Sequence, residues 1–370
     1  MSRLHVDVVR SGELGEVEIA CWNRIQTENA ELDSPFLSPQ FTRALADARD
    51  GTRVAVLSEE AGPVAFFPFE HGSRGRGSAL GMGLSDVQGV VAPATMDLDF
   101  RAVMVGCGVR LFSFDHLLAA QEKWMTSAPS RFFLESSPVL DLSGGFKAYL
   151  KEKAASSKSL FQSTARKRRK LEREYGPIRV VFHEPRHDVL DRVLQWKSAQ
   201  YRRTGRRDRF ADQGNRHLMH TLMDVSDAGF SAPLTVLYAG DSLVAAHFGL
   251  RSRSTLAWWF PAYDPAFAAY SPGLVLCLDL ARVMSDEKNL TLLDLGKGDE
   301  HYKDRLSNAR VHLLNGSVAQ SRALQAMRTV RGWPGAQVTN VVLGSPPLRG
   351  LSRNALARAG QVRERLAQRG

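Results

Sequence analysis

The stretch from Ala257 to Lys303 gathers the residue types that handle a phosphorylated, activated group. An apolar, aromatic run with the length of a strand (Leu256–Phe260) leads into a loop that ends at Tyr270-Ser271-Pro272-Gly273, where a helix begins. Pro272 suits the first helical position, where no amide hydrogen is required. Ser271 can cap the helix or offer its hydroxyl to a phosphate, and Gly273 lets the backbone approach a pyrophosphate closely. Helix starts present free amides and partial positive charge to anions. Tyr270, Ser271, Pro272, Gly273 and Leu274 are therefore either a cradle for a phosphorylated cofactor or a plain helix cap.

A second strand, Leu290–Leu295, ends in Gly296-Lys297-Gly298-Asp299-Glu300. A carboxylate beside an activated acyl group removes the proton of an attacking amine, directly or through water, and neighbouring carboxylates raise one another's pKa towards neutrality. Asp294, Asp299 and Glu300 supply such groups, with capping of the next short helix the other role open to Asp299. Lys303 can pair with Asp299 or with a carboxylate of the acceptor, and Tyr263 and Tyr302 can serve as acids towards a leaving thiolate. His247 lies mid-strand in the apolar run Val244–Leu250; it is either a core residue or a group that orients the acceptor and relays a proton. Trp258, Trp259 and Phe260 alternate between strand faces, so part of this trio is core and Trp259 is a candidate substrate contact. In the first part of the chain, Leu84-Ser85-Asp86-Val87-Gln88-Gly89 makes Asp86 and Gln88 either members of a capped turn or acceptor contacts. No residue stands out as a covalent nucleophile. Direct attack of an amine on a thioester needs none, since positioning and an oxyanion contact can carry the rate.

These residues need a scaffold, and the bulk properties bound it. The chain has 370 residues, 44% hydrophobic and 24% charged, the composition of a globular protein of two domains. No apolar run reaches the length of a membrane span and the first residues lack a secretory pattern, so a cytoplasmic protein is expected. Cys21, Cys107 and Cys277 are far apart, which excludes a disulfide framework or a CxxC metal site. No metal is expected, because His183, His187, His217 and His220 lack a ligand set at suitable spacing. The net charge of +10 is concentrated in two places. Lys158–Arg173 holds seven Lys/Arg against one Glu, and Gly344–Gly370 six Arg against one Glu. Such clusters suit an anionic partner. For Arg166–Lys170 the readings are a solvated helix face, a dock for an acidic carrier protein or for cofactor phosphates, and, less favoured for want of interleaved aromatics, nucleic acid.

The pattern along the chain predicts an α/β protein. Strands are expected at His5–Val9, Arg53–Leu57, Pro63–Phe69, Leu111–Phe114 and Val139–Leu142, and helices at Val17–Gln26 and Pro39–Ala48, the latter capped by Ser38. A long helix, Phe146–Tyr175, stops at Gly176-Pro177. Beyond it come strand Ile178–His183, helices Asp188–Arg203 and Asn215–Ala228, strands Leu234–Tyr238, Leu243–Leu250 and Leu256–Phe260, helix Gly273–Glu287, strands Leu290–Leu295 and Val311–Leu314, and helix Gln320–Val330. The order strand–helix–helix–strand–strand–strand–helix–strand thus occurs twice.

Several stretches resemble the GNAT-type acyltransferases, and within them the CelD/BioF-like acetyltransferase family, related to the tandem-GNAT Fem peptidyltransferases. They are Trp196-Lys197-Ser198-Ala199-Gln200-Tyr201 with Thr204-Gly205, Ala245–Arg251, Pro261-Ala262-Tyr263-Asp264, Tyr270–Gly273, Asp294–Glu300 with Tyr302-Lys303, and Leu84–Gly89. Val87 stands where the family has Tyr, and Ala269–Gly273 stands in place of the usual acetyl-CoA fingerprint. The resemblance covers roughly residues 30 to 315. It implies two GNAT-like domains in tandem, with mixed central sheets flanked by helices: residues 1–150 on the acceptor side, 151–340 as the acetyltransferase domain, and 341–370 as a basic Arg-rich tail. The implied reaction moves an acetyl or longer acyl group from acetyl-CoA, another acyl-CoA or acyl carrier protein to an amine or hydroxyl of a small-molecule or glycan-precursor acceptor in polysaccharide or cell-envelope biosynthesis. Asp299, His247, Lys303 and Tyr302 become the catalytic candidates, and Asp86, Gln88, Tyr263, Trp259 and Asp294 the acceptor contacts. The alternatives are a Fem-like transferase using aminoacyl-tRNA, marked by salt-dependent RNA binding, and a non-catalytic adaptor, which would tolerate loss of Asp299, Lys303 and His247.

Overall fold

The computed structural model describes residues 4–326 apart from 228, 288 and 299, so Asp299, the last four residues of helix Gln320–Val330 and the 341–370 tail lie outside the described residues. The first half runs β1 (His5–Val9), α1 (Glu16–Glu28), α2 (Pro39–Ala48), β2 (Thr52–Glu59), β3 (Gly62–His71), β4 (Arg76–Ala79), α3 (Phe100–Gly106), β5 (Leu111–Leu118), α4 (Glu122–Met125) and β6 (Ser130–Asp141). The long helix α5 (Phe146–Tyr175) leads to β7 (Ile178–Val181), α6 (His187–Arg203), α7 (Gln213–Met223) and the short pair β8 (Ser226–Asp227) and β9 (Phe230–Ser231). The chain continues through β10 (Leu234–Ala239), β11 (Ser242–Arg251), β12 (Thr255–Tyr263), α8 (Pro272–Asp286), β13 (Leu292–Asp294), α9 (His301–Leu306) and β14 (Ala309–Ala319). Local chemistry sets several boundaries. Ser38 Oγ accepts from Phe41 N at 3.0 Å to start α2 ahead of Pro39. Gly176, at φ 101°, ends α5 in backbone that only glycine enters freely.

All strands join one mixed sheet, ordered β1-β2-β3-β4-β5-β14-β6-β13-β12-β11-β10-β7 with β8 and β9 at its border. The repeated element order is a repeated topology. In each half an antiparallel run ends in a parallel pair, β4 with β5 and β12 with β13. The fold is a tandem GNAT-type α/β fold. One difference from the expected layout concerns β14, which follows the second half in sequence but pairs with β5 on one side and β6 on the other.

Alternation along the strands assigns the two faces. Val54, Phe66, Val236 and Trp259 pack into a core with α1, α2, α6 and α7 that spans both halves. Their neighbours turn the other way. Leu237 and Trp258 meet α5 and α8, while Ala55 and Phe67 meet α3 and α4. Among the described residues no helix is long and apolar enough to cross a membrane.

Candidate active site

The parallel pairing of β12 with β13 lasts three residues, Thr255↔Leu292 to Ala257↔Asp294. Beyond it Leu295 N donates to Pro138 O on β6 at 2.9 Å, whereas β12 runs on to Tyr263. The two strands therefore part, and a cavity of about 780 Å³ opens in the gap. Residues of both sheet faces line it. Ser271, Gly273 and Leu274 come from the α8 side. Lys197, Gln200 and Tyr201 come from α6, with Arg206, Arg207 and Arg209 from the loop after it. The floor includes Trp258–Tyr263, Leu295–Gly298, Tyr302 and Lys303, and the first half adds Gly83–Asp86 and His116.

The corresponding gap of the first half is closed by its own chain. Gln88 bridges to Leu117 at the end of β5, its backbone bonding His116 O at 2.8 Å and Leu118 N at 2.9 Å. The Gln88 side chain, expected to contact acceptor, is fully engaged there. Its Oε1 accepts from Asp115 N and His116 N, and its Nε2 donates to Asp115 Oδ1 and Ser85 Oγ. It braces the Ser85–Asp86 turn rather than reaching the cavity. Asp86 does reach it, lying against Gly296, where a Cβ would stand 2.9 Å from Asp86 Oδ2.

At the cradle, Tyr270 is buried and its hydroxyl bonds Glu174 while Lys170 Nζ sits 5.3 Å over its ring, so it anchors the loop to α5. Ser271 adopts φ 49°, ψ 52°, a left-handed conformation that costs a non-glycine residue on the order of 1 kcal/mol. Its hydroxyl makes no helix cap but accepts from Lys167 Nζ at 2.6 Å. The basic cluster of α5 thus brings a cation to the start of α8, and Arg168 clamps the two helices through Asp279 at 2.9 Å. Pro272 opens α8 as expected. We expect Lys167→Ala to weaken binding of a phosphorylated donor about tenfold, the scale of one charge-assisted contact; unchanged affinity by calorimetry would remove Lys167 from the cradle.

His247 lies outside the cavity lining and is fully buried. It stacks on Trp258 with centroids 4.2 Å apart. Its Nε2 lies 3.0 Å from Ala257 O and 3.2 Å from Trp259 N, taking the place of a backbone rung at the register shift between Phe248 and Leu250. Gly249 is required there, since a Cβ would lie 2.3 Å from His247 Cε1. Burial drives the imidazole pKa down to about 3, which favours the neutral ring at pH 7. His247 shapes the bend of β12.

Trp259 lines the cavity, but its indole Nε1 donates to Leu84 O at 2.8 Å, tying β12 to the Asp86 turn across the two halves. Asp294 is buried, bonded by Ser137 Oγ and by Gly296 N at 2.9 Å; burial raises its pKa and these bonds oppose the rise. It shapes the turn into the cavity floor. Lys303 is likewise held: Nζ donates to Gly296 O and Lys297 O at 3.1 Å each and lies 3.2 Å from Glu300 Oε2. It fixes the turn at Gly296-Lys297. Tyr263 and Tyr302 line the cavity, and burial raises the Tyr302 pKa, keeping its proton in place.

Two charged groups carry the clearest chemical signal. Burial lifts the Asp86 carboxyl to about 6, against the pull of His116, Lys303 and Arg209 and with a further push from Asp294. Lys197, buried on α6, is lowered to about 8, mainly by burial, and donates to Pro261 O at 3.0 Å. Sequence reasoning placed Lys167 in a basic run with cofactor phosphates among its possible partners and Lys197 in a stretch that carries the resemblance, but gave Lys197 no role and did not name His116 or the three arginines. A signal existed for Lys197: it falls on the stripe Val189, Leu190, Val193, Leu194 and Tyr201, a lysine where helical spacing asks for an apolar residue. Among the described residues no group of three or more His, Cys, Asp or Glu is arranged to hold a metal ion.

Residues 158–304 match the family model described as acetyltransferase (GNAT) domain. The chain carries a GNAT-type acyltransferase domain. The matched stretch includes β12, α8, β13 and the turn to Lys303, the elements that surround the gap. No curated protein matches the sequence. Solved structures with the same fold include the C-terminal domain of a putative lysylphosphatidylglycerol synthetase from Agrobacterium fabrum, 15% identical over 84% of this chain and 95% of that one, with a TM-score of 0.52. FemX is 7% identical over 87% of this chain and 99% of its own, with a TM-score of 0.55. A conserved protein of unknown function from Bacteroides thetaiotaomicron is 13% identical, covering 83% and 99%, with a TM-score of 0.54.

Proposed function

We propose that this GNAT-type transferase moves an acyl group from an acyl-CoA to an amine or hydroxyl acceptor, with the second half binding the donor and the Asp86 turn of the first half serving the acceptor. The observation that carries this reading is the parting of β12 and β13 beside the start of α8. A thioester arm fits the gap, where β12 from Trp258 onward has no strand paired on its β13 side, and phosphates fit Lys167, Ser271 and the Gly273 amide at the start of α8. Asp86, poised near neutrality, takes the proton that the attacking nitrogen or oxygen loses as its bond to the acyl carbon forms. The carbon–sulfur bond breaks, and a tyrosine hydroxyl, Tyr302 or Tyr263, returns a proton to the sulfur. Asp299, next to Glu300 in the sequence, stays in this proposal as a second carboxylate. A glycan-precursor acceptor remains part of it.

Calorimetry with CoA, acetyl-CoA, octanoyl-CoA and acyl carrier protein tests the donor assignment. Micromolar binding of a CoA species supports it. Binding of the carrier protein alone makes the Arg166–Lys170 face its dock. Silence from all four sinks the acyl-CoA reading and favours the aminoacyl-tRNA alternative or a non-catalytic adaptor.

A further inference from the structure

The cavity opens on two faces of the sheet, and its charges divide between them. The donor cradle lies with α5 and α8, whose residues share a core with Trp258. On the opposite face, α6 and the loop that follows it share a core with Trp259. Cations cluster there too, and most of those around the cavity are matched. Arg206 lies 3.6 Å from Glu300, Lys297 pairs with Glu135, and Lys303 pairs with Glu300. Arg209 is different: half-buried, it lines the cavity, and among the described residues its guanidinium has neither a hydrogen bond nor an ion pair. Its neighbour Asp208 makes no ion pair with it; that carboxylate turns to Ser198 Oγ and Phe210 N, from which it accepts. Arg207 stands exposed at the same rim, and Lys197 uses one of its three N–H groups, on Pro261 O.

The loop is built to hold this charge in place. Phe210 is buried 4.9 Å from the Phe260 ring, and Asn215 Nδ2 ties Arg209 O at 2.8 Å. A half-buried guanidinium with no direct ion pair, only the more distant Asp86 carboxyl acting on it, is better satisfied by a ligand that supplies an anion, and a fixed fork needs little further ordering to bind it. The donor's phosphates belong to the other face, so the missing anion is not theirs.

We propose that the acceptor enters from the α6 face and carries an acid group, phosphate or carboxylate, which Arg209 holds with Arg207 and Lys197 beside it. This rests on the acyl-transfer reading above and adds the substrate class: an acidic amine or alcohol. The acid group sets position while the nucleophile faces Asp86.

Ethanolamine, phosphoethanolamine and β-alanine offer one amine with no acid, a phosphate or a carboxylate. Titrated calorimetrically into the full-length chain, at least one acidic probe should bind tenfold or more tighter than ethanolamine. Phosphoethanolamine ahead of β-alanine assigns a phosphate, and the reverse order a carboxylate. Arg209→Met should bring the preference within about twofold, and Arg209→Lys should restore part of it. The exposed Arg207→Glu should weaken the acidic probes without disturbing the fold. Equal binding of all three probes, no saturable binding of either acidic probe, or an undiminished preference in Arg209→Met overturns the proposal. Acetyl-CoA titrated into the same samples keeps the two ideas apart. Donor binding without acid binding defeats only the acceptor class, and absence of donor binding defeats the acyl-CoA reading itself.

Discussion

Replacing Gly273 with tryptophan should abolish donor binding and turnover while leaving the protein folded. A Cβ at this position meets nothing closer than Tyr263 Cδ1 at 4.0 Å, so a larger side chain has open cavity ahead of it rather than packed atoms. An indole there occupies the space beside Ser271 and Leu274 that the proposal gives to the donor. We expect at least a hundredfold loss in donor affinity and in kcat/KM, with a Tm within a few degrees of the parent, since no core contact or backbone hydrogen bond is removed. Gly273→Ala is the control. It adds one methyl in ordinary contact, improves helix propensity by up to about 1 kcal/mol, and should bind donor normally. Wild-type turnover in Gly273→Trp would mean that the donor lies elsewhere.

Asp86→Asn should separate catalysis from stability, because the two move in opposite directions. The folded carboxyl titrates at about 6 and the ordinary value is 3.8. A carboxyl raised on folding contributes stability that is complete below the unfolded pKa and lost as pH rises through the folded one. Asparagine never ionises and escapes that loss. The variant should therefore match the parent's Tm below about pH 4 and exceed it above about pH 7. Activity should behave inversely. In the parent, kcat/KM climbs through about pH 6 as the base ionises, and the variant should fall by roughly 10²–10⁴ and lose that limb. The groups around the carboxyl – His116, Asp294, Lys303, Arg209 and Tyr201 – set where the limb lies. A variant that keeps both rate and pH profile would remove Asp86 as the base.

Much of the fold was legible because it is locally encoded. Ser38-Pro39, Gly176-Pro177 and Gly240-Asp241 mark element ends by chain chemistry alone, and apolar runs reveal the strands between them. The loop through Tyr270-Ser271 and the helix start at Pro272 were legible for the same reason, being continuous in the chain. What the residues do to one another was less so. Trp259 and Leu84 are 175 residues apart, and nothing local says that an indole will tie them. His247 reads as a relay or a core residue until the bulge opposite Gly249 shows what its ring replaces. Gln88 and Asp86 stand two apart in one turn, yet one closes a gap and the other faces a cavity. That difference depends on where β5 lies. Arg209 shares the limitation: composition reveals a basic loop, but only the fold reveals which of its charges has no hydrogen bond or ion pair among the described residues.

The position of β14 also dictates an order of events during synthesis. This strand is the last of the described chain, and it fills the space between β5 and β6. A nascent first half therefore leaves the ribosome with two long strand edges facing each other unfilled, an invitation to wrong pairing. They stay unfilled until everything between residues 142 and 308 has been made. The catalytic unit is then not a cassette that can be cut at the end of its family match. A chain stopped at residue 304 would keep the whole donor cradle and leave the other half without its middle strand.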